Sequence, residues 1–267
     1  MDDGWQTSAV VDCQVHARNA AAMWEALSKG YGALLVGTEE VRVVVPSPYH
    51  ALRAIVIDPD VNRHVTVQAI ADTVLGPSGI ARRVVEDPSG TLDLTAHRLE
   101  PRYRMTVMGR VPTPLLSPPV PPGAEVLVAT RPEEIAAAEQ ILMAVFPPAP
   151  AGIDLRGRIH PPRVLGIEGW RVWLAYRDTV PAAAAYTYHD GSSLGVYQVG
   201  TLPEHRGHGL ARALMTAILR AYPSDAVTLT ATDQGRPLYT GLGFRILSDA
   251  VWWRPNHTGD DSDRGLR

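Results

Sequence analysis

The sequence predicts an α+β protein with a mixed sheet, built as two halves. Three observations carry this. Past residue 122 the apolar pattern reads strand, helix, antiparallel meander, helix, strand, helix, strand. Residues 111–122 contain six prolines in twelve positions and divide the chain. A hydrophobic fraction of 45% over 267 residues supplies one large core or two small ones, at roughly 150 residues per domain.

The elements of the second half follow in order. Residues 125–129 form a short strand. Thr130 and Glu133 have capping-box spacing with Pro132 in the first turn, and Ile135, Ala138, Leu142 and Val145 make one helical stripe that Pro147 and Pro148 end. Residues 170–176 and 180–188 are strands joined by a turn at 177–179, and Asp190-Gly191 starts a second hairpin into residues 193–201. Leu210, Leu214, Ala217, Ile218 and Ala221 define an amphipathic helix stopped before Pro223. Val227, Leu229 and Ala231 alternate with threonines as in a half-buried strand, followed by a short helix over 236–242 and a strand near 246–253.

The first half is less regular. Ala20, Met23, Trp24 and Leu27 suit a helix ending at Gly30, and residues 34–36, 41–45 and 54–57 suit strands. Residues 65–75 fit a helix and a strand alike, and 84–86 and 105–108 are further short strands. The expected organisation is a domain over 1–110, a semi-rigid proline-rich linker over 111–122, a domain over 123–255, and a disordered polar tail over 256–267.

Composition narrows the function. Net charge is −3, and Lys29 is the only lysine among 25 basic residues. That balance argues against nucleic acid as a partner. The single cysteine, Cys13, excludes an intramolecular disulfide framework. The opening MDDGWQTSAV lacks the pattern of a signal peptide, and no apolar run approaches the roughly 20 residues of a membrane span. A soluble, cytoplasmic protein without a membrane partner is expected, as a monomer or homodimer.

The most informative segment runs from Val199 to Ala211. A strand stops at Pro203, two closely spaced glycines follow, and an amphipathic helix starts at once. Glycines admit a ligand close to backbone amides, and those amides with the helix's positive end form an anion site. Arg206 and Arg212 flank it and can add charge-assisted contacts to phosphate. A Walker loop is excluded because its Gly-Lys pair is missing, and a dinucleotide fingerprint because Arg212 stands where a third small residue belongs.

The run Arg206-Gly207-His208-Gly209-Leu210-Ala211 resembles the acetyl-CoA loop of the GNAT superfamily of N-acetyltransferases, Gln/Arg-x-x-Gly-x-Gly/Ala. Pro237-Leu238-Tyr239-Thr240-Gly241-Leu242-Gly243-Phe244 resembles the family's second motif, a helix presenting a tyrosine ahead of Leu-Gly-Phe. The likeness covers about residues 123–255. More loosely, residues 1–110 look like the degenerate first half of tandem members. The resemblance implies a GNAT fold in the second half, mostly an antiparallel meander with a splayed acetyl-CoA cleft, behind a smaller GNAT-like α+β domain.

It implies direct transfer of an acetyl group from acetyl-CoA to a primary amine of a small molecule or protein. Val199 and Thr201 would offer backbone groups to the thioester and pantetheine arm, with a bulge near Gly200. Arg206, Gly207, His208, Gly209, Leu210, Ala211 and Arg212 would hold the pyrophosphate. Tyr239 would be the general acid for the departing thiolate, or a packing residue beside Leu242 and Phe244. No metal is implied: His205 and His208 lack further ligands nearby. The general base stays unassigned among Glu168, Asp190, Asp233 and His189. Tyr186 and Tyr188 share a strand face and line an acceptor groove or pack. A non-catalytic acyl-CoA sensor and an interaction protein using residues 1–110 remain as alternatives.

Overall fold

Asp12 accepts a hydrogen bond from the Val15 amide at 2.9 Å, which caps α1 (Cys13–Ser28). The computed structural model describes residues 11–29, 32–60, 62–76, 82–115, 121–147 and 155–256. The first half continues with a meander, β1 (Ala33–Gly37), β2 (Val41–Val45) and β3 (Leu52–Val56), then α2 (Arg63–Val74), β4 (Arg83–Asp87) and a long β5 (Leu99–Arg110). The second half is β6 (Ala124–Val128), α3 (Pro132–Val145), the meander β7 (Trp170–Arg177), β8 (Val180–His189) and β9 (Ser193–Thr201), then α4 (Leu210–Ala221), β10 (Ala226–Ala231), α5 (Arg236–Thr240) and β11 (Arg245–Pro255).

The two halves repeat one plan: helix, three-strand antiparallel meander, helix, parallel strand. β3 pairs in parallel with β4 around α2, and β9 pairs in parallel with β10 around α4. The last strand of each half then crosses to the other. The single sheet runs β1-β2-β3-β4-β11-β5-β10-β9-β8-β7-β6, so β5 lies against β10 and β11 lies against β4. β5 and β11 pair with each other along nearly their whole length, from Arg245 opposite Gly109 to Pro255 opposite Leu99. Mixed α+β architecture and a mostly antiparallel sheet are as the sequence predicts.

Helices cover the sheet on two faces, following strand alternation. Leu174, Ala184 and Tyr186 point to the face of α1 and α3, packing with Met23, Leu27, Ile135 and Ala138. Trp173, Ala183, Ala185 and Val196 point to the other face, against Leu210, Leu214 and Ile218 of α4. In the first half α2 packs Ile70 and Val74 on Val43, Ala54 and Val85 of that same far side. α1 packs Ala20 and Ala21 on Val44 and Ile55 of its own half, and Tyr197 of the second half joins the same cluster with Trp24.

Several local expectations shift. Residues 65–75 belong to a helix, α2, because its Ile70 and Val74 fill the core and Asn62 caps it through the Val65 amide at 3.2 Å. The capping carboxylate of α3 is Glu134, not Glu133. The helix starts at Pro132, so residue 134 is the one that reaches back to the Thr130 and Arg131 amides, at 2.8 and 3.1 Å. The strand bulge falls at Gln198, not Gly200. Gly200 faces Ala184 in register, and Gln198 takes the extra position with φ of +53°. Gly200 answers a packing need, since a Cβ there would lie 3.1–3.3 Å from Leu142, Val145 and Phe146 of the α3 region. The helix stop at Gly30, Pro148, part of the proline stretch and the tail from residue 257 lie outside the described residues.

Candidate active site

The glycine loop begins where β9 leaves its partner. Pairing of β9 with β10 runs only from Ser193–Ala226 to Val196–Leu229, yet β9 continues to Thr201 and β10 to Ala231. The two strands therefore part next to the Gln198 bulge, and the strand edge at Val199 and Thr201 faces the opening. Both residues are half-buried there.

Below the opening, Gly207 and Gly209 take φ of +76° and +77°, the left-handed region open to glycine at no steric cost. Gly209 is the N-cap of α4, whose Leu210, Ala213, Leu214 and Ile218 anchor it in the core. Its first amides are thus fixed and aimed at the loop. Thr201, His205, Arg206, Gly207, Gly209, Leu210, Ala211, Arg212 and Leu238 line a hollow of about 260 Å³ at this helix end. Arg206 and His208 stand exposed beside it. The buried hydroxyl of Thr201 and Nδ1 of His205 have no hydrogen-bond partner among the described residues. A dense anion with several acceptor oxygens, such as a pyrophosphate, fits this donor set.

The second motif abuts the first. A Cβ on Gly241 would lie 3.2 Å from the Arg212 guanidinium, and Leu238 lines the hollow itself. Tyr239 is buried, edge-on to Phe244 at 5.9 Å between ring centroids. Burial pushes its phenol up to about 12, so it stays protonated throughout the neutral range.

The acids and histidine considered as bases are held by other partners or face solvent. Asp190 accepts from the amides of Ser192 and Ser193 and closes its own hairpin. His189 pairs with Asp225 at 3.0 Å and stacks on Tyr222. Asp233 is an exposed partner of Arg236, and Glu168 is exposed. At the Gln198 bulge the structure instead brings His160, whose Nε2 lies 2.8 Å from Gln198 Oε1. His160 is stacked on Tyr186 at 4.1 Å, and burial lowers its pKa to about 4, so it is neutral. Sequence spacing gave no sign of this contact, because His160 and Gln198 are 38 positions apart on different elements. Among the described residues no cluster of three or more His, Cys, Asp or Glu side chains could hold a metal.

The first half has a loop at the equivalent place, between β3 and α2. It carries Asp58 and Asp60 and no glycine. Asp58 accepts from Gln14 at 2.7 Å, and Asp60 pairs with Arg63. Two carboxylates at a helix start disfavour an anion there.

A sheet whose parallel strands part above a glycine loop and helix N-terminus is the architecture of an acetyltransferase fold. Residues 168–246 match the model of the acetyltransferase (GNAT) domain. Solved structures share the fold over nearly the whole chain. A GCN5-related N-acetyltransferase from Kribbella flavida superposes with a TM-score of 0.65 at 22% identity, covering 90% of this chain and 95% of that one. One from Sphaerobacter thermophilus gives 0.55 at 19%, covering 91% of each. A tandem GNAT protein from the clavulanic acid biosynthesis pathway gives 0.54 at 16%, covering 94% and 98%. The chain has the tandem GNAT fold with a degenerate first half. No curated protein matches the sequence.

Proposed function

We propose that the chain transfers an acetyl group from acetyl-CoA directly to a primary amine of a small molecule or protein. The observation that carries this reading is the paired left-handed glycines at the start of α4, directly below the parting of β9 and β10. Acetyl-CoA would supply a thioester carbon open to attack. The amides from Arg206 to Arg212 would hold its pyrophosphate, with both guanidinium groups adding charge. Backbone groups of Val199 and Thr201 would orient the pantetheine arm and thioester, and a backbone N–H there would stabilise the oxyanion.

The amine nitrogen forms a bond to the carbonyl carbon, the tetrahedral centre collapses, and the carbon–sulfur bond breaks. Tyr239 gives its phenolic proton to the leaving thiolate and is reprotonated from solvent, which takes up the proton lost by the amine. The reading needs no metal, nucleic acid or membrane, and suits a cytoplasmic monomer or homodimer. No helix among the described residues is long and apolar enough to cross a membrane.

Thiol release from acetyl-CoA against a panel of amines tests the proposal, with Gly209→Trp as a control that fills the loop. Amine-dependent release that is lost in Gly209→Trp is expected. CoA binding without release under any amine would favour an acyl-CoA sensor. Binding that survives Gly209→Trp would mean that the phosphate site lies elsewhere.

A further inference from the structure

One cluster of buried polar groups has no role in the chemistry above. It lies on the face of α1 and α3, where the two halves meet beside the Gln198 bulge. From the bulge inward, His160 is 2.8 Å from Gln198 and stacks on Tyr186. His50, in the turn before β3, follows at 6.5 Å from His160, then Trp24 of α1 at 5.8 Å from His50. The guanidinium of Arg53 lies 4.0 Å over the Trp24 ring. Gln198 is exposed, so the row starts at the open end, while Tyr186 and His160 are 1% and 5% exposed.

Four buried polar atoms in this row have no hydrogen-bond partner among the described residues: His160 Nδ1, Tyr186 Oη, His50 Nε2 and Arg53 Nε. Burying one such atom unpaired costs about 1–3 kcal/mol, so each of the four needs a partner, supplied by bound water or by a ligand. The local charge says which kind. Burial, and after it the neighbouring His160, Arg53, Arg82 and Arg163, pushes the pKa of His50 well below its ordinary value and holds the ring neutral. The two carboxylates in reach are already used. Glu86 is paired with Arg53, and Glu139 accepts from the amides of Gly157, Ile159 and His160. Arg53 Nε donates, and the Tyr186 hydroxyl and His50 Nε2 can donate, so acceptor atoms are what is missing at that end of the row, while neutral His160, donating through Nε2 to Gln198 Oε1, presents its Nδ1 as an acceptor.

We propose that this row is the acceptor subsite, and that it takes an amine whose far end carries a small anionic group, a carboxylate or a phosphate monoester. The inference rests on the transfer reading above. The anionic end lies toward His50 and Arg53, with the amine at Gln198 beside the thioester. The degenerate half then contributes to the acceptor site in place of a second cofactor site.

Tyr186→Phe is the sharpest variant, because it removes a hydroxyl that has no hydrogen-bond partner among the described residues. A purely structural role predicts an unchanged or higher melting temperature and an unchanged acceptor KM. The proposal predicts an acceptor KM raised roughly tenfold with CoA binding unaltered, the size of one lost charge-assisted hydrogen bond. The substrate arm sets α- and ω-amino acids and aminoalkyl phosphates against the amino acid methyl esters and parent alkylamines. Higher kcat/KM for either anionic set, by at least about tenfold, supports the subsite and tells the two anions apart. Equal or better turnover of the esters and alkylamines overturns it while leaving transfer intact. Calorimetric titration with the same amino acids and phosphates separates the two readings: binding that is lost in Tyr186→Phe, without thiol release from any amine, sinks transfer and retains the subsite.

Discussion

Arg110 Nε donates a hydrogen bond to the Leu242 carbonyl at 3.0 Å, joining the last strand of the first half to the turn that follows Tyr239. The same guanidinium reaches the Thr113 carbonyl at 2.5 Å, and Arg110 is only 4% exposed. A Cβ on Gly243 would come within 3.5 Å of it. The position of the candidate general acid is therefore set partly by a residue from the opposite half.

Arg110→Met keeps the apolar stem and removes these donors. It should lower unfolding free energy by about 2–3 kcal/mol, the worth of charge-assisted hydrogen bonds to buried carbonyls. Urea denaturation measures this. A loss below 0.5 kcal/mol would mean that water replaces the guanidinium with little penalty.

Tyr239→Phe should cut turnover by about a hundredfold or more, the lower end of the range for a general acid, while the affinity for CoA stays within a factor of two. Because the phenol is pushed up to about 12, no alkaline loss of rate below pH 10 should trace to its ionisation. A pH profile that is unchanged in shape by the substitution, with an unchanged maximum rate, would reduce Tyr239 to a packing residue beside Phe244.

The two loop glycines separate conformation from space. Both have positive φ, but a Cβ on Gly207 meets nothing within 4 Å, whereas one on Gly209 comes 2.9 Å from Pro121 of the proline stretch. Gly207→Ala should cost about 1–2 kcal/mol for its left-handed backbone alone. Gly209→Ala should cost more and also weaken CoA binding, read by thermal shift with and without CoA. Equal losses at both positions would show that Pro121 yields freely.

His16 of α1 sits between Thr228 and Thr230 of β10, at 3.2 and 2.9 Å, and burial lowers its pKa to about 4. The unfolded chain binds a proton near pH 6.5, which the folded state resists, so stability is complete above that value and falls as pH drops toward 4. Its share is about 3 kcal/mol if the lowered value holds throughout. His16→Gln should flatten the decline in unfolding free energy between pH 6.5 and 4, measured by urea titration at several pH values. A decline as steep as the parent's would assign the acid sensitivity to other groups, His160 first among them.

The glycine loop, the helix it opens and the Tyr239 turn were legible because each is local: spacing within about ten residues encodes it. The helix stripe of α3 and the meander β7–β9 were legible for the same reason. What could not be read is long-range. Nothing in residues 99–110 says that their neighbours are 226–231 and 245–255, since β pairing is set by which edges remain open after everything else has packed. The Gln198 bulge was misplaced to Gly200 because glycine in a strand suggests irregular backbone, whereas here it makes room for α3. His50 and His160 had no motif at all. They matter through a shared position on one face, which only the folded chain supplies.

The crossed strands also set a schedule. β5 leaves the ribosome on the order of ten seconds before β10 and β11 exist to flank it, at typical rates of synthesis. Until then twelve residues of extended chain present bare hydrogen-bonding edges, the kind of surface that recruits other chains. The middle of the sheet is complete only when its final strand, β11, pairs with β4 and β5.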